Sequence, residues 1–381
     1  MNYSIPETRV LDDYGGSSTG PHLVCMAGMH GNEQAGIQAL RKVFRTLRMG
    51  KTTPPGRLTG VIGNMEAVRA GKRHIAKDLN RCWTPERLEL IRNDELTPVD
   101  SEDREQMALY HVLSDLLPDP GTQISVMDLH TTTANSTPFC TFGDTLPNRR
   151  FARDFPLPKI LGLEDHLEGS FLEFLNRKGY TTIGIEGGQH QNPVSVRNLE
   201  AAIWIGMESA GCLRGCFKKE SETHRSFLEQ ISVNSPDLLE VTYRHPIKAE
   251  DRFRMREGYR NFQSIHAGEL LATDRTGNIH APFSGRIMLP LYQGLGDDGF
   301  FIGNRIRRFY YHLSSVMRRL GLSHLLPLLP GVSRYHRDIN TLSISRKIFH
   351  SRWIHLLYFM GYRRIRDYGE HLLAIRRRGT K

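Results

Sequence analysis

Cysteine is scarce and odd in number. The five present (Cys25, Cys82, Cys140, Cys212, Cys216) are scattered through 381 residues, which excludes the disulfide framework of a small secreted domain. No apolar run approaches the roughly 18 residues needed to cross a bilayer. The opening MNYSIPETRV lacks the basic-then-apolar pattern of a secretory leader, so a cytoplasmic location is expected. Internal repeats and low-complexity segments are missing too. What remains is ordinary: 39% hydrophobic and 24% charged residues describe a folded chain, and its length predicts two or three domains at roughly 100 to 200 residues each.

Acidic residues are also missing from one end. From Arg305 to Lys381 there are 17 Lys or Arg against 3 Asp or Glu, which leaves 34 against 38 in residues 1 to 304. The net charge of +10 is therefore a property of the C-terminal fifth, and says nothing about the chemistry of the rest.

The stretch HLVCMAGMHGNEQAGIQALRKVFRTL reads as a buried strand, a Gly-rich turn and a helix carrying Ile37, Leu40, Val43, Phe44 and Leu47 at helical spacing. LTGVIG, ISVMDLH and YTTIGIEGG are further strands, and a helix runs from about Arg104 to Leu117. Strands alternating with helices predict an α/β fold: a mixed, largely parallel sheet with flanking helices over residues 1–230. Shorter alternating runs with Gly and Asp turns predict a small β domain over 235–304. Residues 305–381 read as a basic, amphipathic helical tail, with Ile306, Phe309, Tyr310, Leu313, Val316, Met317 and Leu320 on one face. HAPFSGRIMLP faintly resembles a lipoyl or biotinyl carrier turn, but has Ser284-Gly285-Arg286 where a lysine is needed.

His30 and Glu33 sit three apart where the first strand gives way to its helix, and His130 ends another strand. Because the carboxyl ends of parallel strands share one crevice, these three can meet there. Two imidazoles and a carboxylate leave one position of a tetrahedral Zn²⁺ open, as a catalytic site requires. The same spacing recurs at His266 and Glu269 in the β segment, where no third ligand is in view. Gly28 and Gly31 flank His30 and are read as clearing backbone bulk for metal and substrate. Glu186, ending a third strand, is the candidate proton shuttle of a hydrolytic site. Asn80 and Arg81 offer an amide and a planar fork to a substrate carboxylate; a surface salt bridge is the plainer reading. Asp78 is placed to orient Arg81 or a histidine.

Taken together, GMHGNEQAG, KDLNR, DLHTT and IEGG, in that order, resemble the succinylglutamate desuccinylase and aspartoacylase family, a branch of the carboxypeptidase-like zinc hydrolases. The resemblance covers about the first 205 residues, and the β segment to about Gly303 is similar to the family's smaller second domain. It implies that His30, Glu33 and His130 hold one Zn²⁺ and that Glu186 is the general acid/base. By the same resemblance Asn80 and Arg81 bind the substrate carboxylate, Arg73 polarises the scissile carbonyl, and Tyr292 contacts substrate from the second domain. The implied reaction is hydrolysis of the amide or ester bond of a small N-acylated amino acid by zinc-bound hydroxide. The family's arginine upstream of the catalytic glutamate has at best Arg177 as its counterpart, and Arg149 with Arg150 are further candidates for an acidic substrate.

The resemblance accounts for nothing in the basic tail. Peripheral contact with an anionic membrane, packing on a partner, and nucleic-acid contact are its functional readings, the last without any recognised motif. The alternative is a helix packed on the body by its apolar face with its arginines in water. For the whole chain, the competing readings are a metallocarboxypeptidase acting on peptides and a non-catalytic, membrane-associated binding protein that keeps the fold.

Overall fold

The run HLVCMA has no polar residue after its first position, and it forms the strand His22–Ala27, buried along its whole length, as a strand covered on both faces must be. The computed structural model describes residues 7–16, 20–118, 123–294, 296–335, 338, 340–347 and 351–377. His22–Ala27 pairs in parallel with Arg57–Ile62 on one side and Ile124–Thr132 on the other, and the latter pairs in parallel with Thr181–Gln189. Because side chains alternate across a strand, Leu23, Cys25 and Ala27 join one core, with Leu40 and Phe44 of the helix Ala35–Met49. Val24 and Met26 join the other, with Leu109 and Leu113 of the helix Ser101–Leu116.

These parallel strands put His30, His130 and Glu186 at one end of the sheet. The turn after His22–Ala27 lies against the short helix Met65–Ala70: the Gly31 N–H donates to the Arg73 carbonyl at 3.1 Å, and a Cβ on Gly31 would sit 2.0 Å from the Ala67 backbone. The glycine thus clears room for a neighbouring helix rather than for metal or substrate.

The second segment has a core of its own, with Met255, Ile265, Leu271, Ile287 and Phe300, and is joined to the first by the sheet. Leu238–Pro246 pairs in parallel with Lys159–Leu161 and antiparallel with Asp298–Arg305, so the sheet continues through eleven strands with no break at residue 235. Only Arg254–Met255, Leu270–Asp274 and Gly277–His280 form a separate three-stranded sheet.

The C-terminal segment is not a helical tail. After the helix Arg308–Arg319 come a 3-10 segment and a four-stranded antiparallel sheet of Val332–Arg334, Thr341–Ser345, His371–Arg376 and Tyr362–Tyr368, crossed by the helix Ser351–Phe359. The last two strands are a hairpin closed by Gly369-Glu370, with Gly369 at φ +59°, the two-residue turn that matches strand twist. Leu342, Ile344, Leu357, Tyr362 and Ala374 give this module a core of its own.

Ile306 and Tyr311 pack against the main core, and a set of arginines binds the module to the body. Asp144, 1% exposed, accepts from Arg149 at 2.5 and 3.0 Å and from Arg318 at 3.0 Å, with Arg363 at 3.4 Å. Arg363 also reaches Asp165 at 2.9 Å and Glu240 at 2.6 Å, Arg377 reaches Asp165 at 2.6 Å, and Arg364 pairs with Glu173. The helix Arg308–Arg319 accordingly buries Ser314 and Arg318 and turns Phe309, Leu313, Val316 and Leu320 outward, the reverse of the packing expected from periodicity. Buried guanidinium groups are tolerated only when paired in this way, and the pairing explains why acids and bases are segregated along the chain.

Candidate active site

The His30 and His130 rings face each other with centroids 5.2 Å apart, and Glu33 lies between them. Its Oε1 is 2.8 Å from His30 Nδ1 and its Oε2 is 3.0 Å from His130 Nδ1. One ligand atom from each residue falls within 4.8 Å of the others, the one such trio of His, Cys, Asp or Glu among the described residues. The far ring nitrogens are held too: His30 Nε2 is 3.1 Å from Asp78 Oδ1 and His130 Nε2 is 2.8 Å from Asp128 Oδ2. Each ring thus has carboxylates at both nitrogens, and a cation bound at Nδ1 would find the ring oriented by the carboxylate behind it. His266 and Glu269 hold no comparable group; the Glu269 carboxylate caps the His266 N–H at 2.9 Å.

Burial alone would raise the Glu33 and Asp78 carboxyls, but the histidines around Glu33, and His30 with Arg73 around Asp78, hold both well below the usual carboxylate range. Burial opposes a charge on His130, yet Asp128 and Glu33 push its ring well above the usual histidine value. Glu33, Asp78, Asp128 and Glu186 thus converge on one small volume, and a divalent cation fits both this excess of negative charge and the donor set.

Strand register carries the shuttle candidate in: Glu186 is the cross-strand neighbour of His130. Burial pushes its carboxyl up to about 8, and its Oε2 is buried without a hydrogen-bond partner. Arg73 reaches Asp78 Oδ2 at 2.7 Å and lies 3.7 Å from Glu33 Oε1, with its own Nε unpartnered. Both line one cavity of about 170 Å³ with the three ligand residues, Asn80 and Arg81. The Asn80 carbonyl oxygen accepts from the Phe171 N–H at 2.8 Å, so its NH₂ is what it can offer. Arg81 is held by Asp298 at 3.0 Å and Asp297 at 3.6 Å, both from the second segment.

Other candidates lie elsewhere. Tyr292 is outside the cavity, its hydroxyl donating to the carbonyls of Tyr259 at 3.0 Å and Arg256 at 3.2 Å, while its neighbours Leu291 and Gln293 face inward. Arg149 is committed to Asp144, Arg150 is exposed, and Arg177 pairs with Glu173 at 2.6 Å.

Three cavity residues were not singled out from the sequence. His190 accepts or donates at Nδ1 with the Thr131 hydroxyl, 2.7 Å away, and leaves a buried Nε2 unpartnered. Asp128 stands two residues before His130, hence on the same strand face, a signal that was present in ISVMDLH. Glu164, in the short turn Leu163–Asp165, is buried, which pushes its carboxyl up to about 7; nothing in the sequence marks it.

Residues 19–197 match the profile of the succinylglutamate desuccinylase/aspartoacylase catalytic domain. Among curated proteins, the succinylglutamate desuccinylase of Pseudomonas paraeruginosa is 39% identical over 69 residues, 18% of this chain and 21% of that protein. That of Serratia proteamaculans is 33% identical over 114 residues, 30% of this chain and 33% of that protein. The aligned segments therefore span only about a fifth to a third of these relatives. Among solved structures, a Vibrio parahaemolyticus succinylglutamate desuccinylase superposes with a TM-score of 0.53 at 15% identity, covering 77% of this chain and 84% of that one. The product-bound ectoine utilization protein EutE (DoeB) of Ruegeria pomeroyi gives 0.56 at 20%, covering 76% and 87%. At such identities the structural likeness concerns the fold.

Proposed function

We propose that the chain, whose residues 19–197 match the succinylglutamate desuccinylase/aspartoacylase catalytic-domain profile, is a zinc-dependent hydrolase of the amide, or ester, bond of a small N-acylated amino acid. The observation that carries the reading is that unpartnered buried polar atoms of Glu186, Arg73 and His190 line the same cavity as the His30, Glu33 and His130 cluster. Such atoms are costly unless a ligand completes them.

His30, Glu33 and His130 would hold the Zn²⁺, which would supply Lewis acidity for the attack of water. Asp78 and Asp128 keep the two imidazoles turned toward the ion. Glu186, whose buried carboxyl is pushed up to about 8, takes a proton from the attacking water and delivers it to the departing amine. Arg73 donates to the carbonyl oxygen as negative charge builds there, and His190 Nε2 offers the substrate a second polar contact. Asn80 NH₂ and the Arg81 fork hold the substrate carboxylate, which must compete with Asp297 and Asp298 for Arg81. A cavity of about 170 Å³ suits a short acyl group on one amino acid.

The test is amine release from a panel of N-acetyl and N-succinyl amino acids, by the chain stripped with chelator and then given Zn²⁺. The expected result is turnover restored by the metal. Release of C-terminal residues from peptides without cleavage of N-acyl amino acids would instead identify a carboxypeptidase. Absence of both activities would leave a binding protein.

A further inference from the structure

In the helix Arg308–Arg319 and the residue after it, Phe309, Leu313, Val316 and Leu320 form one apolar stripe at helical spacing, and they are 68, 37, 49 and 69% exposed. The stripe continues into the 3-10 segment at Leu325 and Leu328, also exposed. Single exposed apolar side chains are commonplace, whereas a continuous stripe marks a contact surface. The ion pairs of Asp144 with Arg318 and Arg149 hold the opposite face of this helix in the body, so the helix cannot roll to hide its stripe without breaking them.

The charge around the stripe says what the surface meets. Arg305, Arg307, Arg308 and Arg319 border the stripe and are exposed, and among the described residues the only carboxylate paired with any of them is Asp237, with Arg308 at 2.8 Å. Apolar side chains rimmed by arginine match an interface of acyl chains beneath anionic headgroups. A second copy of the same face would bring arginines against arginines. No helix among the described residues is long and apolar enough to span a bilayer, so the contact is peripheral.

We propose that the Phe309, Leu313, Val316 and Leu320 face of this helix, with its arginine rim, docks the protein on an anionic lipid surface. The inference is independent of the hydrolytic reading.

The full chain is sedimented with vesicles of phosphatidylcholine with and without phosphatidylglycerol. Binding is expected only with phosphatidylglycerol, and should fall as salt rises. The solvent-facing double variant Phe309→Ser/Leu313→Ser should weaken it at least about tenfold, since each side chain loses an apolar insertion. Arg305→Gln/Arg307→Gln should weaken it about fivefold per arginine. Unchanged thermal unfolding of both variants shows that the fold is kept. The proposal is overturned if the wild type ignores both vesicles, or binds neutral vesicles equally well. It is also overturned if the variants bind like wild type, or if the first variant merely abolishes a dimer seen without lipid, which would make this face a self-interface.

Discussion

Asp144 is the point on which the C-terminal module turns, and replacing it with asparagine keeps its shape while removing its charge. Burial would raise the Asp144 carboxyl, but Arg149, Arg318 and Arg363 hold it far below the usual carboxylate range. All three guanidinium groups are themselves buried. Deleting one partner of a buried pair costs about 3–5 kcal/mol because the other charge is stranded. Here Arg363 keeps Asp165 and Glu240, Arg149 keeps Ser315 and the Tyr311 carbonyl, and Arg318 keeps the Asp144 carbonyl. The low end, about 3 kcal/mol, is therefore expected. Urea unfolding of Asp144→Asn at neutral pH measures it, with limited proteolysis between residues 305 and 331 reporting release of the module. The wild-type contribution has a definite pH sign: the folded value is depressed, so the stability is present above the unfolded value of 3.8 and disappears only as pH falls far below it. A loss under about 1 kcal/mol, typical of exposed pairs, would refute the claim that this network docks the module.

Glu186→Gln should retain bound zinc while losing turnover by about 10²- to 10⁴-fold; a variant with near-normal kcat would remove Glu186 as the proton shuttle. Burial raises Glu164 from 4.5 to about 7, so the folded state binds the extra proton and its contribution to stability declines as pH rises from about 4.5 through 7. In Glu164→Gln that decline should be absent. An unchanged pH dependence of unfolding would mean that Glu164 is ionised throughout.

The site was legible because its determinants are local. His30 follows an apolar strand, and His130 and Glu186 lie near the carboxyl ends of two more, and parallel strands bring such ends together. His190 was missed because its role depends on the Thr131 hydroxyl of a neighbouring strand, and Glu164 because a turn across the sheet supplies it. Tyr292 was placed by resemblance alone, and a shift of one residue turns a side chain from the cavity to the outside, where the Tyr259 and Arg256 carbonyls hold it. The C-terminal segment misled because its helical stripe is real but points outward: the opposite face carries Arg318, paired with a buried acid 174 positions away, and periodicity carries no information about that acid. The hairpin at Gly369 could have been found from the alternation in YRRIRDY and HLLAIR.

The central claim is that residues from separate strands hold one catalytic metal. Elemental analysis of the purified wild type, His30→Ala and His130→Ala, each after equilibration with Zn²⁺ and removal of excess, tests it most directly. The account predicts about one zinc per wild-type chain and its loss from both variants. A wild type that takes up no zinc, or variants that keep it, would contradict the site as described.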